Sequence, residues 1–524
     1  MMNEDRARLS VSGLWLIAFG VLALSFWQSL GSFVPTADNE TIPSGIVPVV
    51  LSQGRLTSYA LLSILAPAGN IHPLDLLIGL TGFASATVVA LRVWGLDKGP
   101  SAIAGALVAA SFPTTVHMFT FSTVNMVFGI GMLIAASAVW FFASGRFVLS
   151  ALLVLATIGT YQGLLANVVV IFLVWQAVGL MRGERTVSAA LKGSLAFLAL
   201  IAVCALVYSA TVSALLSALG IRLQLVNDIL RPDLLINSFW QMVTAAGGFL
   251  WAIITGQDVL FVDRGTFVGA LQIALLAAAV GAIFRRGGWS LRTVLAILFL
   301  LAAVGAPFLS IAITGGAVRY RSLMSAPFAM AGMAAVAACW DARWARKAVL
   351  AASALLALFY VQATMQVIRG ASLSWQDDQH LANRIMERVA AIDPTILTPG
   401  QKTGFEMVGW YDRRSEWIPN IGPRTTLGYS FFRYSESPSR AVGAFQIMGH
   451  PFFRPATNAE RLQIAERAGA MPVWPAPGSV QVIDGVVVVK FHERYTNFQL
   501  SRYCPTQPAD ECRDTLALAS GGVR

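Results

Sequence analysis

Residues 1–369 form a succession of apolar runs that admit almost no charge, and that pattern leaves little choice but a membrane body. A bilayer crossing takes roughly 17–25 mostly apolar residues. Runs of that kind lie at about 11–33, 73–95, 123–143, 162–180, 193–218, 266–284, 293–314, 323–340 and 347–368. Two shorter runs, 100–113 and 147–160, fall between good spans and must cross as well if the topology is to close. The expected fold is an all-α polytopic membrane body of about 11 transmembrane helices, with a small C-terminal α/β soluble domain behind it. A further run, 238–256, is interrupted by Gln241, Thr244, Gly247 and Gly248 and reads as re-entrant or interfacial. The first run ends in Trp27 and Phe33 with no small-x-small cleavage site, so it is expected to stay as an uncleaved helix.

Charge separates the two parts. Residues 1–369 hold 21 basic and 12 acidic residues, whereas the much shorter stretch 370–524 holds 16 and 15. That contrast excludes a soluble enzyme or a disordered scaffold and sets the domains at 1–369 and 370–524. The net charge of +10 comes almost wholly from the body. No basic stripe interleaved with aromatics accompanies it, so no nucleic acid partner is expected. Cytoplasmic loops collect Lys and Arg. With eleven spans and a cytoplasmic N-terminus, the inner loops carry 14 basic against 5 acidic residues, and the outer ones 7 of each. A twelfth crossing at 238–256 would put Arg285-Arg286 and the Arg343–Lys347 cluster on the wrong side. Eleven spans also leave the tail outside, where Cys504 and Cys512 read as a short structural disulfide in an oxidising compartment; two unpaired surface thiols are the alternative. Cys204 and Cys339 sit in apolar runs as small hydrophobes. The five histidines are scattered, and no metal ligand set is visible.

Transporters place ionisable groups in mid-span. Here the unusual polar groups gather at the outer ends of the spans, which favours chemistry at the membrane–water boundary. The first external loop holds Asp38 and Glu40 between Pro35 and Pro43; one carboxylate there could act as general base on an incoming hydroxyl, or both are ordinary solvated acids. Ser52-Gln-Gly-Arg55 opens a short apolar segment, ended by Pro67, that is expected to lie in the interface; Arg55 either meets a lipid phosphate or snorkels. Tyr161 and Gln162 sit between two spans, the tyrosine as an interfacial anchor or a substrate contact. Arg319-Tyr320-Arg321 follows a Gly-Gly pair and runs against the positive-inside bias, as a phosphate clamp or as ion-pair partners of the tail. Among the charges of 219–265, including Asp258, no acid stands out.

In the tail, Trp375–Ala391 reads as a helix, Thr457-Asn-Ala-Glu460 as a capping box opening a helix to about Ala468, and Val486–Phe491 as a buried strand. Trp410, Tyr411, Arg413, Arg414, Trp417, Phe431, Phe432 and Arg433 are either a glycan-binding face or core and rim.

Together these pieces resemble the O-antigen glucosyltransferase II family of serotype-modifying enzymes. The resemblance rests on Asp38 and Glu40, then Gln53-Gly54-Arg55 with Ser58-Tyr59, Tyr161-Gln162, and Arg319-Tyr320-Arg321 ahead of Pro327. In the tail it rests on Met471-Pro-Val-Trp-Pro-Ala-Pro-Gly-Ser-Val480 and Asp484–Lys490. Leu56 stands where an aromatic is expected after Gly54-Arg55. The resemblance implies a type C glycosyltransferase-like body in a bacterial inner membrane. It implies glucose transfer from undecaprenyl-phosphate glucose to a lipid-linked O-antigen on the periplasmic side, with Asp38 or Glu40 as base. Its partners would be a polyprenyl-phosphate sugar donor, a lipid-linked glycan acceptor and membrane lipid. A phosphodiester-linked sugar already carries a good leaving group, so the reaction needs no cofactor or metal by this reasoning. The alternative is a transporter or flippase of lipid-linked sugars.

Overall fold

A computed structural model describes residues 10–36, 47–66, 71–221, 239–258, 260–261, 265–308, 320–411, 427–433, 437–496 and 499. The candidate residues Asp38, Glu40, Arg319, Arg413, Arg414, Trp417, Cys504 and Cys512 lie outside them. The chain divides into two compact units, one running to Ile368 and the other holding Val34–Ser44, Arg369–Ile418 and the remainder from Thr426.

Among its described residues the first unit contains helices and their connecting turns, as suits an apolar chain to which lipid offers no backbone partners. It opens with α1 (Val11–Ser25), α2 (Trp27–Gly31), α3 (Val47–Ser52) and α4 (Leu56–Leu65). Then come α5 (Leu74–Val93), α6 (Gly99–Ser111), the short α7 (Val116–Phe119), α8 (Asn125–Ala143), α9 (Phe147–Thr160), α10 (Leu165–Arg182) and α11 (Val187–Ala218). It closes with α12 (Phe239–Ile254), α13 (Gly265–Gly287), α14 (Leu291–Gly305), α15 (Ala326–Ala337) and the first half of α16 (Arg343–Ile392). Among the described residues, 8 helical stretches are long and apolar enough to cross a membrane. The other three runs expected to cross form the shorter helices α1, α9 and α15, and the interrupted run 238–256 forms α12.

Ser10, Thr186 and Ser290 cap α1, α11 and α14 through their hydroxyls, each accepting a first-turn N–H. An aromatic file ties the bundle together. Phe26 meets Phe119 edge-on at 5.7 Å, Phe119 lies 5.9 Å from Phe83, and Phe83 meets Phe328 of α15 at 5.5 Å. Helices α5 and α8 touch backbone to backbone at Gly79, Gly82 and Gly129. A Cβ on Gly129 would overlap the Gly79 carbonyl, and one on Gly82 would lie 2.5 Å from the Gly129 carbonyl carbon. Small residues at such a crossing are what let membrane helices pack closely. Gly129→Leu is therefore expected to cost well over the ~1–3 kcal/mol typical of overpacking, read as loss of monodisperse protein in detergent while Gly20→Leu, where a Cβ meets nothing, is tolerated.

One expected boundary is absent. The span 347–368 and the helix 375–391 are a single 50-residue helix, α16. The segment between them holds one glycine, Gly370, and no proline, so the hydrogen-bond ladder continues where the apolar run stops. Pro394 ends it.

The second unit is α/β. Strands β1 (Thr403–Val408), β2 (Phe453–Pro455), β3 (Val480–Ile483) and β4 (Val486–Lys490) form one sheet in the order β2-β1-β4-β3. β1 runs parallel to both neighbours, and β3 pairs antiparallel with β4. Phe405, Met407, Val487 and Val489 pack on the C-terminal half of α16 and on α17 (Pro438–Ile447). Val408, Val486 and Val488 face α18 (Asn458–Ala470). Both faces are thus covered, which is why β4 reads as an unbroken run of valines rather than alternating. The capping box is formed: Thr457 and Glu460 exchange side-chain and backbone hydrogen bonds at the start of α18. Val34 packs against the cluster of Trp375, Phe431 and Ala444, so the chain just before Asp38 is anchored in this unit.

Glu460 also pairs with Arg454, and that hydrogen bond, with those from Thr457, holds its carboxyl down at about 2 from an ordinary 4.5. A depressed carboxyl stabilises the fold above its unfolded value and stops doing so as pH falls through its folded one. The difference in melting temperature between the wild type and Glu460→Gln is expected to be widest above pH 4.5 and to shrink towards pH 2.

Candidate active site

Several helices of the body lose their regular run, and Gln162, Tyr320 and Arg321 lie at these breaks. α6 passes through a 3-10 turn (Pro113–Thr115) into α7, α9 passes through another (Gln162–Leu164) into α10, and a third (Tyr320–Ser322) precedes α15.

The first group forms around the α3–α4 turn. Gly54 sits at φ 67°, a conformation glycine adopts without strain. Its carbonyl accepts from Tyr208 Oη at 2.8 Å, and the same phenol oxygen accepts from the Leu56 N–H at 3.1 Å. Tyr208, on α11, thereby pins the turn. Ser58 donates to the Thr160 carbonyl at 2.5 Å, drawing α4 onto the end of α9. Gly159 permits this approach, since a Cβ there would meet Thr57 Oγ1 at 2.5 Å. As a result the Arg55 guanidinium lies over the Tyr161 ring at 4.5 Å, while Phe128 meets that ring edge-on at 5.4 Å. Gln162 Nε2 reaches the Gln53 carbonyl at 3.5 Å, the outer limit of a hydrogen bond. Two motifs about a hundred residues apart in sequence are one structural feature, with Arg55 stacked on Tyr161.

The second group forms around Tyr320. Instead of standing between two outward guanidiniums, Tyr320 is wholly buried and donates its hydroxyl to Asp258 Oδ1 at 2.5 Å. Asp258 is itself buried and accepts the Leu260 N–H at 2.9 Å. The Tyr320 ring lies 4.8 Å from the imidazole of buried His117 and 6.0 Å from Phe249. The phenol supports the turn from within. Its neighbour Arg321 keeps a more accessible place, with its guanidinium 5.4 Å from the Phe121 ring. Tyr320→Phe leaves a buried carboxylate short of a donor and is expected to cost about 1–3 kcal/mol, visible as a lower melting temperature with Arg321 still present.

Both groups border the same stretch of chain, since Phe121 lies under Arg321 and Phe128, in the first turn of α8, lies against Tyr161. A guanidinium laid on a ring holds its planar fork in one orientation, which suits two-pronged recognition of a phosphate. Sequence reasoning missed Asp258, His117 and Tyr208. Nothing in the sequence ranks Asp258 above its acidic neighbours, and Tyr208 reads as one more aromatic in an apolar run.

In the tail, Phe431 and Phe432 are buried in the core and Tyr411 packs against it, so these residues are core rather than a glycan-binding face. Trp410 lies 5.0 Å from the His492 ring. The Met471–Val480 motif is held by α16: Arg384 and Arg388 lie over Trp474 at 4.8 and 4.2 Å, and Arg388 donates to the Pro475 and Ala476 carbonyls and to Ser479 Oγ.

The glucosyl transferase GtrII family matches residues 28–338, more than half of the chain and every residue of the two groups above. The chain belongs to the glucosyl transferase GtrII family. No curated protein matches it. The GtrII match ends with α15, so it takes in Arg55, Tyr161, Gln162, Tyr320 and Arg321 and leaves α16 and the α/β unit outside. A GtrII member is a transferase, and the 8 membrane-length apolar helices make this one a membrane protein. Among the described residues, no group of His, Cys, Asp and Glu is placed to hold a metal ion.

Proposed function

We propose that this GtrII protein moves a hexose, glucose by family, from a polyprenyl-phosphate sugar to a lipid-linked O-antigen or another cell-surface glycan. The reaction takes place on the periplasmic side of a bacterial inner membrane. The body crosses eleven times in the manner of type C glycosyltransferases, with the N-terminus cytoplasmic and the α/β unit periplasmic. The observation that carries this reading is the meeting of Gln53-Gly54-Arg55 with Tyr161-Gln162 in a chain of a glucosyl transferase family.

The chemistry asks for few parts. An acceptor hydroxyl attacks the anomeric carbon, the bond from that carbon to the phosphate oxygen breaks, and polyprenyl phosphate departs. One carboxylate, Asp38 or Glu40, takes the hydroxyl proton. Arg55 and Arg321, with Arg319, hold the phosphate on which negative charge grows, and Tyr161 and Gln162 line the approach. A single displacement inverts the anomeric configuration.

The test is turnover by purified protein in detergent, given polyprenyl-phosphate glucose and a lipid-linked glycan. Release of polyprenyl phosphate that depends on the acceptor is expected. A flippase of lipid-linked sugars would release none, and that outcome overturns the reading.

A further inference from the structure

Asp258 takes no part in the transfer chemistry, yet several contacts fix its place. It follows the end of α12, where α12 and α13 touch backbone to backbone. A Cβ on Gly256 would overlap the Gly265 carbonyl, and one on Gly269 would overlap the Thr255 carbonyl. Just past this contact the Asp258 N–H donates to the Ala252 carbonyl at 3.1 Å, and the Asp258 carbonyl accepts from the Phe261 N–H at 3.1 Å. Its carboxylate oxygen Oδ1 accepts the Leu260 N–H and also the hydroxyl of Tyr320, 62 residues further on. A carboxylate is costly to bury, and this one is buried where it meets a distant phenol.

Tyr320 in turn carries the short turn Tyr320–Ser322. Successive side chains of a 3-10 turn point about 120° apart. A buried Tyr320 therefore leaves Arg321 and Ser322 on the open sides, where both are half-buried. His117 and Phe249 bound the tyrosine ring. The Leu323 N–H closes the turn on the Tyr320 carbonyl at 3.0 Å, and the Leu323 carbonyl accepts from Thr114 Oγ1 at 3.4 Å. Any shift of the phenol in this seat is passed to its chain neighbour and moves the Arg321 guanidinium from its place beside the Phe121 ring.

We propose that Asp258 and Tyr320 are positioning residues that set the Arg321 guanidinium for the phosphate of the sugar donor. Asp258 fixes the phenol, the phenol fixes the turn, and the turn aims Arg321. The proposal rests on the reading of Arg321 as a phosphate contact and extends it to two buried side chains that touch no substrate. Misplacing a reacting or binding group by about 1 Å can cost about a hundredfold in rate.

The test is a double-mutant cycle on the full chain in detergent. Asp258→Ala and Tyr320→Phe are each made in the wild type and in Arg321→Lys, and acceptor-dependent release of polyprenyl phosphate is measured per folded molecule. Each is expected to lower kcat about 10- to 100-fold in the wild type, with KM for the acceptor unchanged. In Arg321→Lys each is expected to change kcat by less than about twofold, because the residue they act through is already blunted. Asp258→Asn keeps an oxygen able to accept from both donors and is expected to retain most of the wild-type kcat. Should Asp258→Ala fail to fold, Tyr320→Phe, which removes a single oxygen, carries the cycle. An equal fractional loss in the two backgrounds would make the pair structural and overturn the proposal. So would wild-type kcat in both single variants, or an Asp258→Asn variant as slow as Asp258→Ala. Affinity for polyprenyl phosphate, read by native mass spectrometry on the same variants, gives a second cycle that needs no turnover: Tyr320→Phe should weaken binding in the wild type and leave it unchanged in Arg321→Lys. A wild type that binds polyprenyl phosphate but releases none from the donor would sink the transferase reading alone, and this second cycle would still decide the positioning role.

Discussion

Asp38→Asn combined with Glu40→Gln is expected to lower turnover by about 10²- to 10⁴-fold, the usual contribution of a positioned general base. Each substitution keeps the shape of the side chain and removes its ability to take a proton. The sequence reads both positions as part of a solvated loop, where substitutions usually move stability by less than ~0.5 kcal/mol. Expression and melting temperature should therefore stay near wild type. The single substitutions then separate the roles, since the base alone carries the loss. Wild-type turnover by the double variant would show that the proton leaves by another route and that the first-loop carboxylates are not the base.

Replacing Arg321 or Arg319 by Lys is expected to lower kcat/KM by about 10- to 150-fold, the equivalent of one lost charge-assisted hydrogen bond of roughly 1.5–3 kcal/mol. Lysine keeps the charge but not the planar fork. Because negative charge builds on the phosphate as the glycosidic bond breaks, part of the loss should fall on kcat and not only on KM. The sequence alone would make Arg55→Lys a tolerated comparison, as expected of a snorkelling side chain. The stacking of Arg55 on Tyr161 at 4.5 Å changes that expectation: Arg55→Lys should fall with the others, and Tyr161→Leu should reproduce much of its effect. If these variants instead lose stability while turnover per folded molecule is unchanged, the arginines are structural.

The membrane-length helices, the buried strand of the C-terminal sheet and several local features were legible in the sequence because each depends on neighbours along the chain. A run of apolar residues needs no partner to be recognised as one that water rejects. The Thr457–Glu460 box closes within a single helical turn. The valines of β4 announce burial on both faces, although only the sheet order β2-β1-β4-β3 shows what covers them. The length of α16 was hidden because hydropathy stops at the first charges after Ile368, whereas helical hydrogen bonding does not.

The candidate site divides along the same line. Arg55, Tyr161, Gln162 and Arg321 could be picked out singly by type and position, but not their pairing. That pairing is set by Tyr208 pinning Gly54 and by Gly159 letting α4 approach α9. Asp258 illustrates the other side. In the sequence it is one acid among several in a polar stretch, while in the folded chain it is buried and accepts a hydrogen bond from the Tyr320 hydroxyl. Sequence determines which side chains water will not leave alone. Which of the polar ones are withdrawn from it depends on what the distant helices bring against them, because a buried carboxylate is stable only where a donor from elsewhere in the chain arrives to meet it.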